Sequence, residues 1–376
     1  GEPAADRAPE ELERDLEVVG LVGIVDPVRQ GAETVVATFR RAGIRLALVT
    51  GDHPVTAGVI AGRLGIDNRR VMTGDDLARA TPEQLALTSV FARTRPEQKL
   101  DLVRGWQEEG EVVAMTGDGV NDAPALRRAD IGVAMGEGGT EVARQAADLI
   151  LLDDNLATVG SAVEEGRRIY ANIRRFLAYA LSGGVAEVLI MLVGPFLGYA
   201  VPLLPSQILW VNLLTHGVPG VAMGAEPAEA DAMRRPPRSP RESVLGGGLW
   251  RQVVLTGLVI AVVSALAAWW VAGSGGPWQS TVFVVLGLSQ LGVALAVRSR
   301  TRRASGIRFL SLAVAAAAIL QVLPLYVPVL RTLIRVEALT PAQLAGATAF
   351  AVVPGLVVAV VRRLRGRSTD HEREPS

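Results

Sequence analysis

The chain has 376 residues, 38 basic and 38 acidic side chains and no cysteine, with a mean hydropathy of +0.32. The lack of cysteine excludes a disulfide framework, a thiol nucleophile and thiolate metal sites. The zero net charge is a cancellation: residues 1–170 carry 19 basic against 29 acidic side chains, and residues 171–376 carry 19 against 9, so the halves stand at −10 and +10. That asymmetry predicts two domains in different surroundings. The basic half is mostly apolar between its charges, which excludes a nucleic-acid binder. The first residue is Gly1 and no signal peptide precedes the acidic half, as expected of a piece of a longer chain.

In the acidic half, short apolar runs alternate with amphipathic stretches. Strands are predicted at Leu21–Val25, Ile44–Thr50, Val90–Ala92, Val112–Thr116, Ile131–Val133 and Leu149–Leu151, and helices at Val28–Ala42, Pro54–Leu64, Pro96–Glu109 and Thr140–Ala147. The alternation predicts a parallel sheet covered by helices, a Rossmann-type α/β domain, with ligands at the carboxyl ends of the strands. The polar clusters fall at those ends. One strand runs into Thr50-Gly51-Asp52, another into Thr116-Gly117-Asp118-Gly119-Val120-Asn121-Asp122. Glycine lets the backbone approach a phosphate closely, and a following helix offers free N–H groups to an anion. Asp118 and Asp122, four residues apart across a tight turn, suit a hard oxygen-liganded cation such as Mg²⁺. Lys99 is the single lysine among 38 basic residues. A compact point charge at the start of a helix fits a phosphate contact at the sheet edge.

The basic half contains six uncharged or nearly uncharged segments of spanning length, since a membrane span takes about 20 apolar residues. Two lie between Arg175 and Glu226, divided by a Gly/Pro-rich break at Gly194–Pro205. Two lie between Arg251 and Arg298, divided by GSGGP at 273–277, and the last two are 309–330 and 338–361. The connections 226–251 and 298–308 and the tail after 361 are rich in arginine, whereas the turns near 195–205 and 273–280 carry no charge. The turn near 331–337, with Arg331 and Arg335, is the one exception. By the positive-inside rule the N-terminal half and the C-terminus are expected in the cytoplasm. The domains are therefore expected at 1–155 (cytoplasmic α/β), 156–175 (stalk helix), 176–361 (an all-α bundle of six transmembrane helices) and 362–376 (basic cytoplasmic tail).

Glu187 is the one carboxylate inside any expected span. An ionisable group at that depth costs roughly 2.5–3.5 kcal/mol on insertion scales, which makes it a functional candidate. The neighbouring Gly183-Gly184 would let a backbone approach. Asn212, Thr215 and His216 share a face if the second span is continuous. Gly217 and Pro219 instead favour a broken helix, which frees carbonyl oxygens as ligands. Gln290 is a further polar group at depth, open to ion binding or to interhelical hydrogen bonding. His216, titrating near neutral pH, is open to proton countertransport.

Thr50-Gly51-Asp52, the RPEQK string at 95–99 and TGDGVNDAPAL at 116–126 resemble the phosphorylation domain of the P-type ATPases, members of the haloacid-dehalogenase superfamily. GLVGIVDPVR (20–29), GVAMGEGGTEVARQAADLILLDDN (132–155), GRRIYANIRRF (166–176), QILWVNLLTHGVPGVAMGAEP (207–227) and MRRPPRSP (233–240) extend the likeness over most of the chain. Six spans after the α/β domain resemble the type-II, calcium-pump-like branch. The resemblance implies an ATP-driven, Mg²⁺-dependent cation pump of the cell membrane. Asp118 would hold Mg²⁺, with Asn121 and Asp122 orienting that site. Thr50, Gly51 and Lys99 would contact phosphate oxygens, Asp52 would lie near the nucleotide, and Asp26 and Arg29 join the residues implied in ATP binding. Glu187, Asn212 and Thr215 match ion-ligand positions. His216 stands where an Asp is usual, Gln290 where some relatives have Glu, and Gly184 where Asn is common. The loss of two carboxylates weakens a two-calcium site and leaves one divalent ion, a monovalent ion or protons.

The sequence contains neither the DKTGT segment that bears the phosphorylated aspartate nor the TGE segment of the actuator domain. The chain therefore reads as the C-terminal portion of a pump, inactive alone, whose partners are the N-terminal actuator, nucleotide-binding and phosphoacceptor segments, the bilayer and the transported cation. The alternative is a truncated, catalytically silent membrane protein with a regulatory role or none. A membrane-tethered phosphatase would need its own D-x-D nucleophile, and none occurs in residues 1–170.

Overall fold

The computed structural model describes residues 17–20, 22, 28, 31–198, 201–299 and 304–371. The expected strand at Leu21–Val25, the candidates Asp26 and Arg29, and Arg300, Arg302 and Arg303 lie outside these residues.

The acidic half is α/β. Its strands are β1 (Leu48–Val49), β2 (Val71–Thr73), β3 (Val90–Ala92), β4 (Ala114–Gly117), β5 (Ile131–Met135) and β6 (Leu149–Leu151). Its helices are α1 (Ala32–Arg41), α2 (Pro54–Leu64), α3 (Gly74–Leu77), α4 (Pro82–Ala86), α5 (Pro96–Glu108), α6 (Ala123–Arg128) and α7 (Glu141–Ala146). The helix starts are chemically marked. Pro54 and Pro96 occupy first-turn positions where a missing N–H costs nothing. Thr140 caps α7 by accepting from Ala143 N at 3.3 Å. All pairings are parallel, but where one sheet was expected there are two among the described residues, ordered β1-β3-β2 and β4-β5-β6. The edges are β1 and β2 in one sheet and β4 and β6 in the other, and no ladder joins the two among the described residues. Side chains join them instead: Gln107 Nε2 on α5 donates to Asp130 Oδ2 at 3.0 Å, beside β5.

The basic half is helical: α8 (Leu156–Val193), α9 (Pro205–Asn212), α10 (Val218–Gly224), α11 (Leu249–Ala272), α12 (Trp278–Val297), α13 (Ala304–Val322), α14 (Pro328–Ile334) and α15 (Pro341–His371). Among the described residues, five helical stretches are long and apolar enough to cross a membrane: Leu156–Leu197, Leu249–Ala272, Trp278–Val297, Arg308–Leu325 and Pro341–Leu364. The expected second span is not one regular helix. A π-helical turn at Leu213–Gly217 separates α9 from α10, so this segment is not among the five. Glycine sets the close contacts: Gly292 on α12 and Gly355 on α15 meet backbone to backbone, where a Cβ on Gly355 would stand 2.9 Å from the Gly292 carbonyl. The 38-residue α8 is about 57 Å long at 1.5 Å per residue, against an apolar slab of about 30 Å. It is therefore longer than one crossing needs. The chain is a multi-pass membrane protein with an α/β domain at one end.

Candidate functional site

The two loops expected to handle phosphate lie at the carboxyl ends of β1 and β4, each an edge strand of its sheet among the described residues. Thr50 N donates to Phe91 O at 2.9 Å, extending the ladder by one bond. Thr50 Oγ1 accepts from Asp52 N at 3.1 Å and closes the turn. Thr94, just before α5, donates through both N (3.0 Å) and Oγ1 (2.9 Å) to Thr50 O. The start of α5 is thus tied to the Thr50-Gly51-Asp52 turn. Arg93, which donates to Asp52 O at 3.0 Å, holds φ +48 to make that approach.

Lys99, in the first turn of α5, reaches the other motif. Its Nζ donates to Asp122 Oδ1 at 2.7 Å, and Asp122 Oδ2 accepts from Gly119 N at 3.3 Å. Asp122 is 8% exposed and spends its carboxylate inside the protein. Gly117 makes room for it, because a Cβ there would lie 2.6 Å from Asp122 Cβ. Asp118 behaves differently. Its main-chain carbonyl accepts from Thr140 N at 2.8 Å, while its side chain is exposed with no partner among the described residues. The Asp118 carboxylate is thus open to a ligand, and the Asp122 carboxylate is held between Lys99 and Gly119 N. No group of three or more His, Asp or Glu residues that could hold a metal occurs among the described residues. An ion on Asp118 would have to take most of its oxygens from water and phosphate, as Mg²⁺ does. Asn121 and Asp52 are exposed beside the same loops.

A neighbouring loop escaped sequence reasoning. Asp154 accepts from three backbone groups, Gly136 N (2.7 Å), Glu137 N (3.2 Å) and Gly138 N (2.7 Å). A carboxylate fills this nest and fixes the start of α8 against the sheet. The clustered glycines at 136–139 were the available signal: a Cβ on Gly139 would stand 2.0 Å from Met135 O.

In the membrane half, three expected residues come together. Asn212 Nδ2 donates to Glu187 Oε2 at 3.2 Å and Gln290 Nε2 donates to Glu187 Oε1 at 3.1 Å. Glu187 is 8% exposed, Gln290 is fully buried, and Gln290 Oε1 has no hydrogen-bond partner. Gly183 makes this possible, because a Cβ there would lie 2.6 Å from the Gln290 carboxamide carbon, whereas nothing approaches Gly184. The glycine admits a side chain rather than a neighbouring backbone.

Thr215 and His216 stand apart from this trio. The Thr215 hydroxyl donates to Val211 O at 2.8 Å, within its own helix. Pro219, without an N–H, sits four residues on, and the Thr215 carbonyl accepts instead from Tyr179 Oη at 2.6 Å. The carbonyl that Pro219 leaves without a helical donor thus has a side-chain donor in its place. His216 packs edge-on to the same Tyr179 ring, centroids 6.0 Å apart, with Nε2 unpartnered. Tyr179 lies eight residues before Glu187, about 12 Å along the same face of α8. Sequence reading did not single it out.

Residues 2–130 match the family described as haloacid dehalogenase-like hydrolase, and residues 200–364 match the cation transporting ATPase C-terminus. The chain is 40% identical to a calcium-transporting ATPase of Bacillus subtilis over 93% of its own length and 41% of that protein. It is 46% identical to the probable cation-transporting ATPase F of Mycobacterium tuberculosis over 68% of its length and 29% of that protein. Against calcium-transporting ATPase 1 of Yarrowia lipolytica the identity is 39%, over 88% of the chain and 37% of the relative. The chain thus spans about two fifths or less of the curated relatives it matches.

Proposed function

Because the chain belongs to the P-type ATPases and corresponds to a C-terminal portion of a cation-transporting member, we propose that it couples Mg²⁺-dependent phosphoryl transfer from ATP to movement of a cation past Glu187. The observation that carries this reading is α8, one unbroken helix from Leu156 to Val193. It begins five residues after β6, at the phosphate-handling domain, and holds Glu187 about 18 Å beyond Arg175, its last preceding charged residue. A displacement at either end has a rigid path to the other.

Asp118 would hold Mg²⁺, which offsets charge on the transferred phosphoryl group. Lys99, oriented by Asp122, together with Thr50 and Gly51 would bind phosphoryl oxygens, and Asn121 would support the loop. Asp52, Asp26 and Arg29 are assigned to the nucleotide side. The phosphoacceptor aspartate, with the actuator and nucleotide-binding segments, belongs to the remainder of the pump. A strand carrying that aspartate between the unpaired edges of β1 and β4 would join the two sheets into one. It would also bring the aspartate between the Thr50 and Asp118 loops.

The cargo is a hard cation, Ca²⁺ first, held by Glu187 and the amide oxygens of Asn212 and Gln290. Thr215 and His216 are assigned to its path toward the α/β domain. The names of the relatives and the oxygen donors favour Ca²⁺. One carboxylate supports a single site. Residues 1–155 and 362–376 are placed in the cytoplasm, 156–175 as stalk, and 176–361 as six crossings with α9, the π turn and α10 as the second. A catalytically silent protein is not favoured beside relatives that are transporting ATPases. The test is acid-stable phosphoenzyme formation from ATP by the full-length protein across a cation panel. Ca²⁺-dependent formation supports the proposal, and indifference to every cation overturns it.

A further inference from the structure

Gln321, on α13, is a fully buried amide that the site around Glu187 does not use. Its Nε2 donates to Phe283 O on α12 at 2.9 Å, and its Oε1 is buried without a hydrogen-bond partner. Gly287 makes the room, because a Cβ there would stand 2.4 Å from Gln321 Nε2. The arrangement repeats that of Gln290, also fully buried, seated against Gly183 and left with an orphaned Oε1. A clamp between helices does not by itself account for Gln321. Phe283 lies inside α12, where the amide four residues on already serves its carbonyl. Leaving the carbonyl of a buried carboxamide unpaired costs about 1–3 kcal/mol, which an apolar side chain in the same space would avoid.

The positions on α12 give these oxygens a direction. Ser280, Phe283, Gly287 and Gln290 follow one another at intervals of three, four and three residues, so they form one stripe of the helix. At 1.5 Å per residue the stripe is about 15 Å long. Gln290, at its inner end, donates to Glu187 Oε1 at 3.1 Å. Ser280, at its outer end, accepts through its hydroxyl from Glu337 N at 2.7 Å, in the turn before α15. That end lies away from the α/β domain, beside the break that follows α8, since Gln279 Nε2 donates to Val201 O at 2.7 Å. Neutral oxygens spaced about one to a turn are too few for a metal ion, which takes about six. They suit water, which bonds to its neighbours and to roughly two to four polar groups.

We propose that Gln290 and Gln321 carry a short file of water molecules from Glu187 along α12 to the membrane face away from the α/β domain, and that Glu187 exchanges its proton with that side through it. The inference rests on Glu187 as the ion-binding carboxylate. In the exchange, a hydronium ion at the Gln321 end passes a proton from water to water. A Glu187 oxygen takes it, which leaves a carboxylic acid and neutral water, and the reverse transfer restores the carboxylate.

The chain contains no cysteine, so a single thiol placed in it reports its own position. The full-length protein, freed of thiols outside this chain, is sealed in vesicles. Ag⁺, a thiol-seeking ion close to water in size, is added on the side away from the α/β domain. Gln321→Cys should be captured at least tenfold faster than Ala317→Cys, which is fully buried one turn away on the same face of α13. Gln290→Cys should also be captured, and adding Gln321→Leu should slow that capture about tenfold, because the leucine offers water no partner. Equal rates at 321 and 317, or indifference to Gln321→Leu, overturns the proposal. The unsubstituted protein supplies a reading that no misfolded variant can obscure. Hydroxyl radicals made from bound water by X-rays should oxidise Phe283 severalfold faster than Phe91, although both are fully buried. Equal oxidation of the two overturns the file. None of these measurements uses ATP, so failure of the cation-dependent phosphoenzyme would overturn the pumping reading and leave the file standing.

Discussion

At the residue scale, Glu187 and Lys99 are charges whose surroundings were built before any ligand arrives. Glu187 accepts from two amide side chains, which hold both its oxygens in place, and Gln290 Oε1 is left as an orphaned acceptor beside it. A buried acceptor without a donor costs about 1–3 kcal/mol, and a cation recovers that cost. Gly183→Ala tests the arrangement through its space alone. Alanine is the better helix former by about 0.8–1.0 kcal/mol, but the new methyl drives the buried Gln290 away from Glu187 and leaves a Glu187 oxygen without its donor, at about 1–3 kcal/mol. The expected result is a melting temperature unchanged or moderately lowered, together with a tenfold or greater loss of cation affinity, read from the cation dependence of phosphoenzyme formation. Glu187→Gln should abolish that dependence. Lys99→Ala should lower phosphoenzyme formation by about 10²-fold or more, the usual cost of one positioned donor. Arg at the same position should not rescue it, because Lys99 reaches Asp122 at 2.7 Å as a point charge and a planar fork does not fit that geometry.

At the element scale, what was legible in the sequence followed how local the cause was. Val90–Ala92 and Leu149–Leu151 are strands as expected, because each is a short apolar run bounded by turns. The expected Ile44–Thr50 strand contracts to Leu48–Val49, since β1 has one neighbour and pairs there at two residues. Val71–Thr73, following a charged stretch, carries no periodicity to announce it and was missed. The division into two sheets depends on a ladder partner, which no local pattern encodes. Of the candidate site, the Glu187, Asn212 and Gln290 trio was readable from polarity at depth. Tyr179 was not, because its role depends on Pro219 in another span. That dependence is testable. Tyr179→Phe leaves the buried Thr215 carbonyl without its donor and should cost about 1–3 kcal/mol. Pro219→Ala supplies an N–H four residues on, so the double variant should recover much of that loss. Thermal unfolding of the four proteins in the cycle measures the coupling, and strict additivity would reject the account.

At the scale of the whole molecule, coupling needs a second contact besides α8, since a single helix fixes distance and leaves rotation free. Arg167 supplies it. Its guanidinium donates to Ala42 O (2.8 Å) after α1, and to Ala232 O (2.7 Å) and Arg235 O (2.9 Å) in the loop after α10. One half-buried side chain on α8 therefore ties the end of α1 to the loop after α10. Burial lowers its pKa, yet an arginine remains charged throughout the physiological range. Beside it, Gly43 holds φ +72, and a Cβ there would stand 2.8 Å from Pro237 Cδ, so the domain and the loop meet without space to spare. Arg167→Gln removes the fork and keeps the polarity. The full-length protein should still form phosphoenzyme, because Lys99 and Asp118 are untouched, while cation moved per ATP hydrolysed falls severalfold. Hydrogen exchange at 228–240 should quicken in the same variant. Lysine should not restore coupling, since one ammonium group does not span three carbonyls in that geometry. Gly43→Ala, acting from the other side of the contact through strain and collision, should reproduce the uncoupling. Arg63→Gln, on the exposed end of α2, is the control with no expected effect. If Arg167→Gln and Gly43→Ala both left transport per ATP unchanged, the clamp would be packing alone and α8 would carry the coupling by itself.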